Sequence, residues 1–95
     1  MSKRVYISGP ISNNPQYIED FKAAEDKLRA QGYEPVNPCR NTGDTYKELI
    51  DAGLKDLMTC DAMYMLPGWS RSAGATLELK YAQAVGLKCL LWLDY

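Results

Sequence analysis

The chain has 95 residues, of which 46% are hydrophobic and 24% are charged, a length that suffices for one domain over residues 1–95 but not for two. Eleven Lys and Arg residues against twelve Asp and Glu residues give a formal charge of −1, so we expect no nucleic acid polymer as a partner. The sequence contains no His, which excludes Ser-His, Cys-His and His-metal schemes, and we expect neither a cofactor nor a metal.

Cysteine usage and the apolar runs predict where the protein is found. The Cys residues are three in number, widely spaced and without a Cys-x-x-Cys pair, which indicates neither a disulfide framework nor a zinc site and favours a reducing cytoplasm. No apolar run approaches the roughly 20 residues that span a bilayer, and no long apolar run precedes Pro10. We therefore expect a cytoplasmic protein with no membrane partner.

Strand-like and helix-like periodicities alternate along the chain, as expected when strands feed crossover helices. The first predicted strand, Arg4 to Ser8, ends at Gly9-Pro10, which cannot continue a central strand. Asn14 and Pro15 then match a helix N-cap and first helical position, and Gly32 supplies the stop. The core face predicted for this helix has apolar residues at three- and four-residue spacing: Ile18, Phe21, Ala24 and Leu28.

The same alternation continues beyond Gly32. Tyr33 to Asn37 is a short predicted strand, and Thr45 with Glu48 forms a capping box for a second helix. The core face predicted for that helix is apolar: Tyr46, Leu49, Ile50, Leu54, Leu57 and Met58. Two near-continuous apolar runs predict buried strands, with a third helix between them: Ala62 to Leu66, Leu87 to Leu93, and a helix from about Ala73 to Val85.

These elements predict an α/β fold. The expected architecture is a small flavodoxin- or Rossmann-like three-layer sandwich, with a four-stranded parallel sheet and three helices. Ligands of such folds bind beyond the carboxyl ends of the strands, where the strand order reverses. We therefore expect the site in the loops 9–14, 37–44 and 67–72.

The segment from Pro67 to Tyr81 carries the residues with the most chemistry. Ser72 is placed to cap the third helix, where backbone N–H groups suit a phosphate or carboxylate. Helical side chains lean toward the N-terminus, so Glu78 lies over Ala75 and Gly74, which are too small to cover its carboxylate. This spacing predicts a nucleophile or base aimed at a ligand on Ser72. The alternative is an exposed acid on a helix surface.

The order of motifs resembles the nucleoside 2-deoxyribosyltransferase superfamily. The motifs are RVYISGPIS near the N-terminus, VNP at Val36 to Pro38, CDAMYMLPGW at Cys60 to Trp69, and SAGATLE. The chain is most similar to the short branch that is common in phages and prophages, which implies a phage protein in a bacterial or phage-infected cytoplasm. A Ser-x-Gly-x-x-x-Glu spacing at Ser72, Gly74 and Glu78 is also similar to that of deoxynucleoside 5′-monophosphate N-glycosidases.

The resemblance implies a mechanism and a set of site residues. In that superfamily a Glu attacks the anomeric carbon of a deoxyribosyl group, and the glycosyl-enzyme then passes to another base or to water. It implies that Glu78 is the nucleophile, that Tyr6 orients it, and that Ser72 binds a 5′-phosphate. Further substrate-binding residues are expected at the strand ends, in the loops that follow them and at the start of the third helix: Ser8, Gly9, Pro10, Asn37, Trp69 and Gly74. Asn37 has the alternative of stabilising a turn, and Trp69 that of covering the core edge.

The sequence departs from the superfamily at the second acid of this reaction. The resemblance places a general acid eight residues before Asp61, and that position is Gly53. Asp51 or Asp56 would replace it only if the helix is rotated, whereas Asp61 itself is expected to hydrogen-bond backbone. A gain of hydrolysis in Gly53→Asp would show that the site is otherwise intact.

Three functions remain open at this point. The first is cleavage or transfer of the N-glycosidic bond of a deoxynucleotide or nucleoside, by a hydrolase or a transferase. The second, motivated by Gly53, is a catalytically impaired nucleotide-binding or sensor module. The third is a structural or partner-binding phage accessory protein. A homodimer or higher homo-oligomer is expected, because the core of so short a chain is small and the chain ends directly after its last predicted strand.

Overall fold

Strands and helices alternate in the computed structural model, which describes residues 3–11, 14–40 and 45–91. Within these residues the strands are β1 (Arg4–Ser8), β2 (Glu34–Val36), β3 (Ala62–Met65) and β4 (Lys88–Leu91). The helices are α1 (Tyr17–Ala30), α2 (Tyr46–Met58) and α3 (Ala73–Ala84). Short 3₁₀ helices, Pro38–Arg40 and Trp69–Arg71, follow β2 and β3. Residues 12–13, 41–44 and 92–93, which belong to predicted loops and to the last predicted strand, lie outside the described residues.

The strands form one parallel sheet in the order β2-β1-β3-β4. Tyr6 in β1 lies opposite Val36 of β2 on one side and Met63 of β3 on the other. The chain moves to one side of β1 to form β2 and then crosses to the other side to form β3. The strand order therefore reverses between β1 and β3, and connections leaving these strands diverge and open a crevice.

Helices cover both faces of the sheet because strand side chains alternate between the faces. Val5 and Ile7 of β1 pack with Phe21 and Leu28 of α1 on one face. On the other face, Met63 and Met65 of β3 pack against residues of α2 and α3, namely Leu57, Ala75 and Ala82. Tyr64 packs on the α1 side, opposite to its neighbours Met63 and Met65. The predicted α/β class, with three helices on a parallel sheet, is confirmed over the described residues. No helix there is long and apolar enough to cross a membrane.

Helix α1 begins later than predicted. Its N-cap is Gln16, whose side chain makes no capping hydrogen bond. Asn14, the predicted cap, forms a turn instead: its side-chain oxygen accepts from the N–H of Gln16 at 3.2 Å, and its amide donates to the carbonyl of Pro10 at 3.0 Å. The prediction that Ile18 belongs to the core face was wrong, since Ile18 lies in the first turn and is 59% exposed. The buried face starts at Phe21.

Helix α2 is capped as predicted, but the face that it turns toward the sheet differs from the predicted core face. The hydroxyl of Thr45 accepts a hydrogen bond from the N–H of Glu48 at 3.1 Å. The predicted core residues Leu49 and Met58 are instead 42% and 66% exposed. Among the α2 residues whose side chains the structure describes, Gly53 and Leu57 are the buried ones. The helix therefore approaches the sheet most closely at these two residues. The side chain of Tyr46, also predicted for the core, lies outside the described residues.

Candidate active site

Glu78 is a buried carboxylate in the second turn of α3. Only 8% of the residue is exposed. The buried stripe of α3 consists of Ala75, Glu78 and Ala82, so the carboxylate occupies a core-facing position between two small residues. The alternative of an exposed acid on the helix surface was therefore wrong.

Two hydroxyl groups of β1 hold this carboxylate. The hydroxyl of Tyr6 donates to Oε2 of Glu78 at 2.6 Å, and the hydroxyl of Ser8 donates to Oε1 at 2.7 Å. Residues two apart in a strand point to the same face, which is why Tyr6 and Ser8 reach one side chain together. Each carboxylate oxygen thus receives a short hydrogen bond, and the orientation of the group is set by the central strand.

Burial and hydrogen bonding act on the pKa of Glu78 in opposite directions. Burial disfavours the charged carboxylate and raises the pKa, the hydrogen bonds from Tyr6 and Ser8 lower it, and the pKa lies above its ordinary value because burial is the larger effect. The pKa of Tyr6 is raised by its burial and then by the neighbouring charge of Glu78. Its hydroxyl therefore keeps its proton and remains a hydrogen-bond donor to the carboxylate.

Glu78 lines a cavity of about 230 Å³ at the carboxyl end of β1. The wall is mostly apolar and combines β1, the segments after β1 and β2, and parts of all three helices. It includes six residues that the sequence predicted for the site: Tyr6, Ser8, Gly9, Ser72, Gly74 and Glu78. The structure therefore brings together the first strand, the N-terminus of α3 and the predicted nucleophile.

The N-terminus of α3 is capped by Ser72, as predicted. The hydroxyl of Ser72 accepts from the N–H of Ala75 at 3.2 Å, and its carbonyl accepts from the N–H and the hydroxyl of Thr76 at 2.9 and 2.8 Å. First-turn N–H groups have no acceptor within their own helix, so those of Ala73 and Gly74 add to the positive end of the helix dipole. Ser72 and Gly74 both line the cavity, which places this positive end beside it.

Gly53 allows α2 to approach the pair of Tyr6 and Glu78. A Cβ atom at this position would lie 2.7 Å from Oη of Tyr6 and 2.8 Å from Oε2 of Glu78. Neither separation is sterically acceptable, so a side chain here would displace one of the two partners. The position that the resemblance assigns to the general acid thus faces the predicted nucleophile, and a side chain there would require Tyr6 or Glu78 to shift.

The two substitute acids on α2 lie away from the cavity wall. Asp51 is on the outer surface, where its carboxylate pairs with Lys55 at 3.0 Å and is 62% exposed. Asp56 is half-buried and is not part of the wall. Because Gly53 faces Glu78, the helix is not rotated in the way that would bring Asp51 into the site. Asp61 accepts from the backbone N–H of Arg4 at 3.0 Å, as predicted.

The remaining predicted binding residues have other contacts. Gly9 lines the cavity, but a Cβ there would lie 2.7 Å from Cβ of Leu66, so packing also requires a glycine. Asn37 accepts from the N–H of Cys39 at 2.9 Å and stabilises a turn. Trp69 packs at the edge of the core on the α2 and α3 side. Pro10, Asn37 and Trp69 do not line the cavity, so the structure does not bring them to Glu78.

Several residues of the wall were not predicted for the site. The helices contribute Tyr17, Phe21, Leu49, Ile50 and Ala75, and the predicted site loops 9–14 and 37–44 contribute three residues that had not been singled out, Ile11, Pro38 and Cys39. Helical periodicity had indicated Phe21, Leu49 and Ile50 as core residues, and periodicity alone does not distinguish a packed core from a cavity wall. Burial, and next the charge of Glu25, raises the pKa of the Cys39 thiol to about 11. The thiol is therefore protonated at neutral pH.

Comparison with known proteins agrees with this architecture. A family model described as a domain of unknown function, DUF4406, matches residues 3–91. A search of curated proteins finds no match to the chain. The chain is similar in structure to a 2-desoxiribosyltransferase from Leishmania mexicana, with a TM-score of 0.76, 22% identity, and coverage of 95% of this chain and 63% of the transferase. The chain thus spans less than two thirds of that enzyme.

A second solved structure is the CMP N-glycosidase BcmB of Clostridium botulinum. It has a TM-score of 0.63 and 25% identity, with coverage of 94% of this chain and 67% of the glycosidase. Both structural matches extend over nearly all of this chain, and the family model covers a similar extent. The chain therefore belongs to the DUF4406 family and has a fold like that of the nucleoside 2-deoxyribosyltransferases.

Proposed function

We propose that this protein cleaves the N-glycosidic bond of a nucleotide or nucleoside, or transfers the glycosyl group, with Glu78 as the nucleophile. The observation that carries the proposal is the buried carboxylate of Glu78 in the cavity wall, with one hydroxyl donor on each oxygen. The kind of reaction is supported by two structural neighbours, a deoxyribosyltransferase and a CMP N-glycosidase.

The first chemical step is attack by a carboxylate oxygen of Glu78 on the anomeric carbon. The bond from that carbon to the base nitrogen breaks, and its electron pair leaves with the base. Water or a second base then attacks the same carbon and releases Glu78, so the configuration is retained. Tyr6 and Ser8 contribute by holding the carboxylate in one orientation, which reduces the entropy that must be lost on reaction.

The N-terminus of α3 is the proposed binding position for the 5′ end of the substrate. Ser72 supplies a hydroxyl. The backbone N–H groups of Ala73 and Gly74 lie at the N-terminus of α3, which is the positive end of the helix dipole. A phosphate bound there would lie in the same cavity as Glu78, two helical turns or fewer from the carboxylate. This position favours a nucleoside 5′-monophosphate over a nucleoside without phosphate.

The test measures, by chromatography, the release of free base from a panel of deoxynucleoside 5′-monophosphates and CMP. We expect release from at least one substrate, and loss of that release in Glu78→Gln. Glu25→Gln is the matched control, because Glu25 is also a buried carboxylate but lies outside the cavity wall. Trapping a glycosyl adduct on Glu78 by rapid acid quench and mass spectrometry would identify the nucleophile. Unchanged release in Glu78→Gln would contradict its assigned role.

A nucleotide-binding module without turnover is the second candidate. It is favoured by Gly53, since the position where relatives are expected to carry a general acid has no side chain and no room for one. Such a module would bind a nucleotide in calorimetric titration and release no base in single-turnover reactions with excess protein. Base release at any measurable rate that depends on Glu78 would exclude this candidate.

A further inference from the structure

The part of the cavity wall that the structure describes has a nucleophile but no second carboxylic acid. Glu78 is the one carboxylate among the described wall residues. Tyr6 and Ser8 already donate their hydroxyl protons to Glu78, and the thiol of Cys39, with its pKa raised to about 11, is a far weaker acid than a carboxylic acid. A neutral purine or pyrimidine leaves poorly unless it is protonated, and general-acid catalysis of that step is typically worth about 10²–10⁴ in rate.

The same wall is suited to a positive charge. Its described residues include no Lys or Arg, so ionised Glu78 gives it a formal charge of −1. Tyr17 of α1, an aromatic residue that is only half-buried, is part of the wall, and aromatic faces attract cations. A cation bound beside Glu78 would also favour the ionised carboxylate, which is the nucleophilic form.

We infer that the substrate is an N-glycoside whose base already carries a positive charge, such as an N-glycosyl pyridinium or an N7-alkylated purine nucleotide. This inference rests on the proposed function and names its substrate class. Attack by Glu78 forms the bond from its oxygen to the anomeric carbon, while the bond to the base nitrogen breaks. The electron pair neutralises the charge on that nitrogen, so the base leaves neutral and no proton is needed. Water then cleaves the glycosyl ester, giving the free sugar, the Glu78 carboxylate and a proton released to solvent.

A buried, mostly apolar wall suits this reaction in particular. The carboxylate and the cationic base carry opposite charges at the start, and both charges are gone once the glycosyl ester and the neutral base have formed. A step that removes charge is favoured by a low-dielectric environment relative to water. When the base of a neutral nucleotide leaves as an anion, the negative charge moves from Glu78 to the base, and a proton donor is needed to neutralise it.

The experiment compares substrates that differ by one positive charge. The pairs are 7-methyl-GMP with GMP and 7-methyl-dGMP with dGMP, with nicotinamide mononucleotide as a pyridinium substrate. Base release is measured against protein-free controls and against Glu78→Gln. We expect the cationic members to be cleaved at least about 100-fold faster than their neutral partners after subtraction of the uncatalysed rate, the factor expected for a missing general acid.

Two further readouts separate charge preference from the intrinsic lability of cationic glycosides. First, the rate with nicotinamide mononucleotide, whose pyridinium charge does not titrate, is expected to rise with pH as Glu78 ionises and then to stay level up to about pH 9, because no acid is required. Second, 1-methylnicotinamide, a pyridinium cation with no glycosidic bond, is expected to bind more tightly than nicotinamide in calorimetric titration. That preference should be lost in Glu78→Gln and kept in Glu25→Gln.

The outcomes distinguish this inference from the proposed function. Cleavage of neutral nucleotides within 100-fold of their cationic partners, or a rate with nicotinamide mononucleotide that falls again below pH 9, would overturn the inference and leave the glycosidase proposal standing. Equal binding of 1-methylnicotinamide and nicotinamide would also overturn it. No base release from any neutral or cationic substrate would overturn the proposed function and the inference together.

Discussion

Glu78 is subject to two opposing requirements at the scale of a single residue. In the proposed role of nucleophile Glu78 must be ionised, whereas burial favours the neutral carboxyl and raises its pKa. The folded state therefore binds more protons than the unfolded chain between the unfolded and folded pKa values of this group. The stability that Glu78 contributes is fully present below the unfolded pKa and is lost as pH rises through the folded pKa.

Replacing Glu78 with Gln is expected to stabilise the protein at about pH 8, because the variant has no buried charge there. The difference in melting temperature between variant and wild type should shrink as pH falls to about pH 4, where the wild-type carboxyl is protonated. Thermal unfolding of both proteins by circular dichroism across this range measures it. A difference that is independent of pH, or that grows toward acid, would contradict the raised pKa.

Gly53 is the second residue whose substitution is informative. In an exposed helix Gly→Ala stabilises by about 1 kcal/mol, but a Cβ here would lie 2.7 Å from Oη of Tyr6 and 2.8 Å from Oε2 of Glu78. We expect Gly53→Ala to destabilise the wild type in urea unfolding and to destabilise Tyr6→Phe less, since that variant lacks the Oη atom. For the same reason Gly53→Asp is expected to gain no hydrolysis.

Two controls separate the effect of the Cβ contact from the other effects of the substitution. Ala52→Gly, one residue earlier in α2, measures the helix-propensity effect without a contact to the pair. A double-mutant cycle between positions 6 and 53 isolates the clash from other effects of either change. Gly53→Ala that stabilises the protein, or effects that add without coupling, would show that α2 can move away from Glu78 at little cost.

At the scale of elements, α2 and α3 offer a matched pair of helix caps. Thr45 accepts from the N–H of Glu48, and Ser72 accepts from the N–H of Ala75, but of these two only Ser72 lines the cavity. Thr45→Ala and Ser72→Ala are each expected to lower the free energy of unfolding by about 1 kcal/mol. Ser72→Ala alone should also weaken nucleotide binding in calorimetric titration. Equal affinities in the two variants would argue against an anion site at α3.

The sequence predicted some features of the helices correctly and others incorrectly, depending on how local the contacts are that set each feature. Ser72 and Thr45 cap their helices as predicted, because a cap depends on residues three positions apart. The start of α1 was placed too early because Asn14 also forms a turn with Gln16, and two local hydrogen-bond patterns compete for the same side chain. The exposure of Ile18 and Met58 depends on where each helix rests on the sheet, which periodicity does not specify.

At the scale of the whole molecule, self-association stays a prediction. Large apolar side chains are more than 40% exposed on several elements: Ile11, Ile18, Leu49, Met58, Leu77 and Val85. A chain of 95 residues has a small core, and burying part of this surface against a second copy would add to its stability. Sedimentation velocity over a range of concentrations is expected to show a dimer or a larger species. A monomer at every concentration would contradict the prediction.

The sequence by itself determined the alternation of strands and helices, the cap at Ser72 and the position of Glu78 in the second turn after that cap, because these follow from spacings of a few residues within one element. The family resemblance implied that Tyr6 orients Glu78, but only the tertiary structure decided that Ser8, 70 positions away along the chain, donates to the same carboxylate. It also decided that Gly53 faces this carboxylate. These contacts depend on how α2, α3 and β1 pack against one another, and packing brings together residues whose separation along the chain carries no local signal.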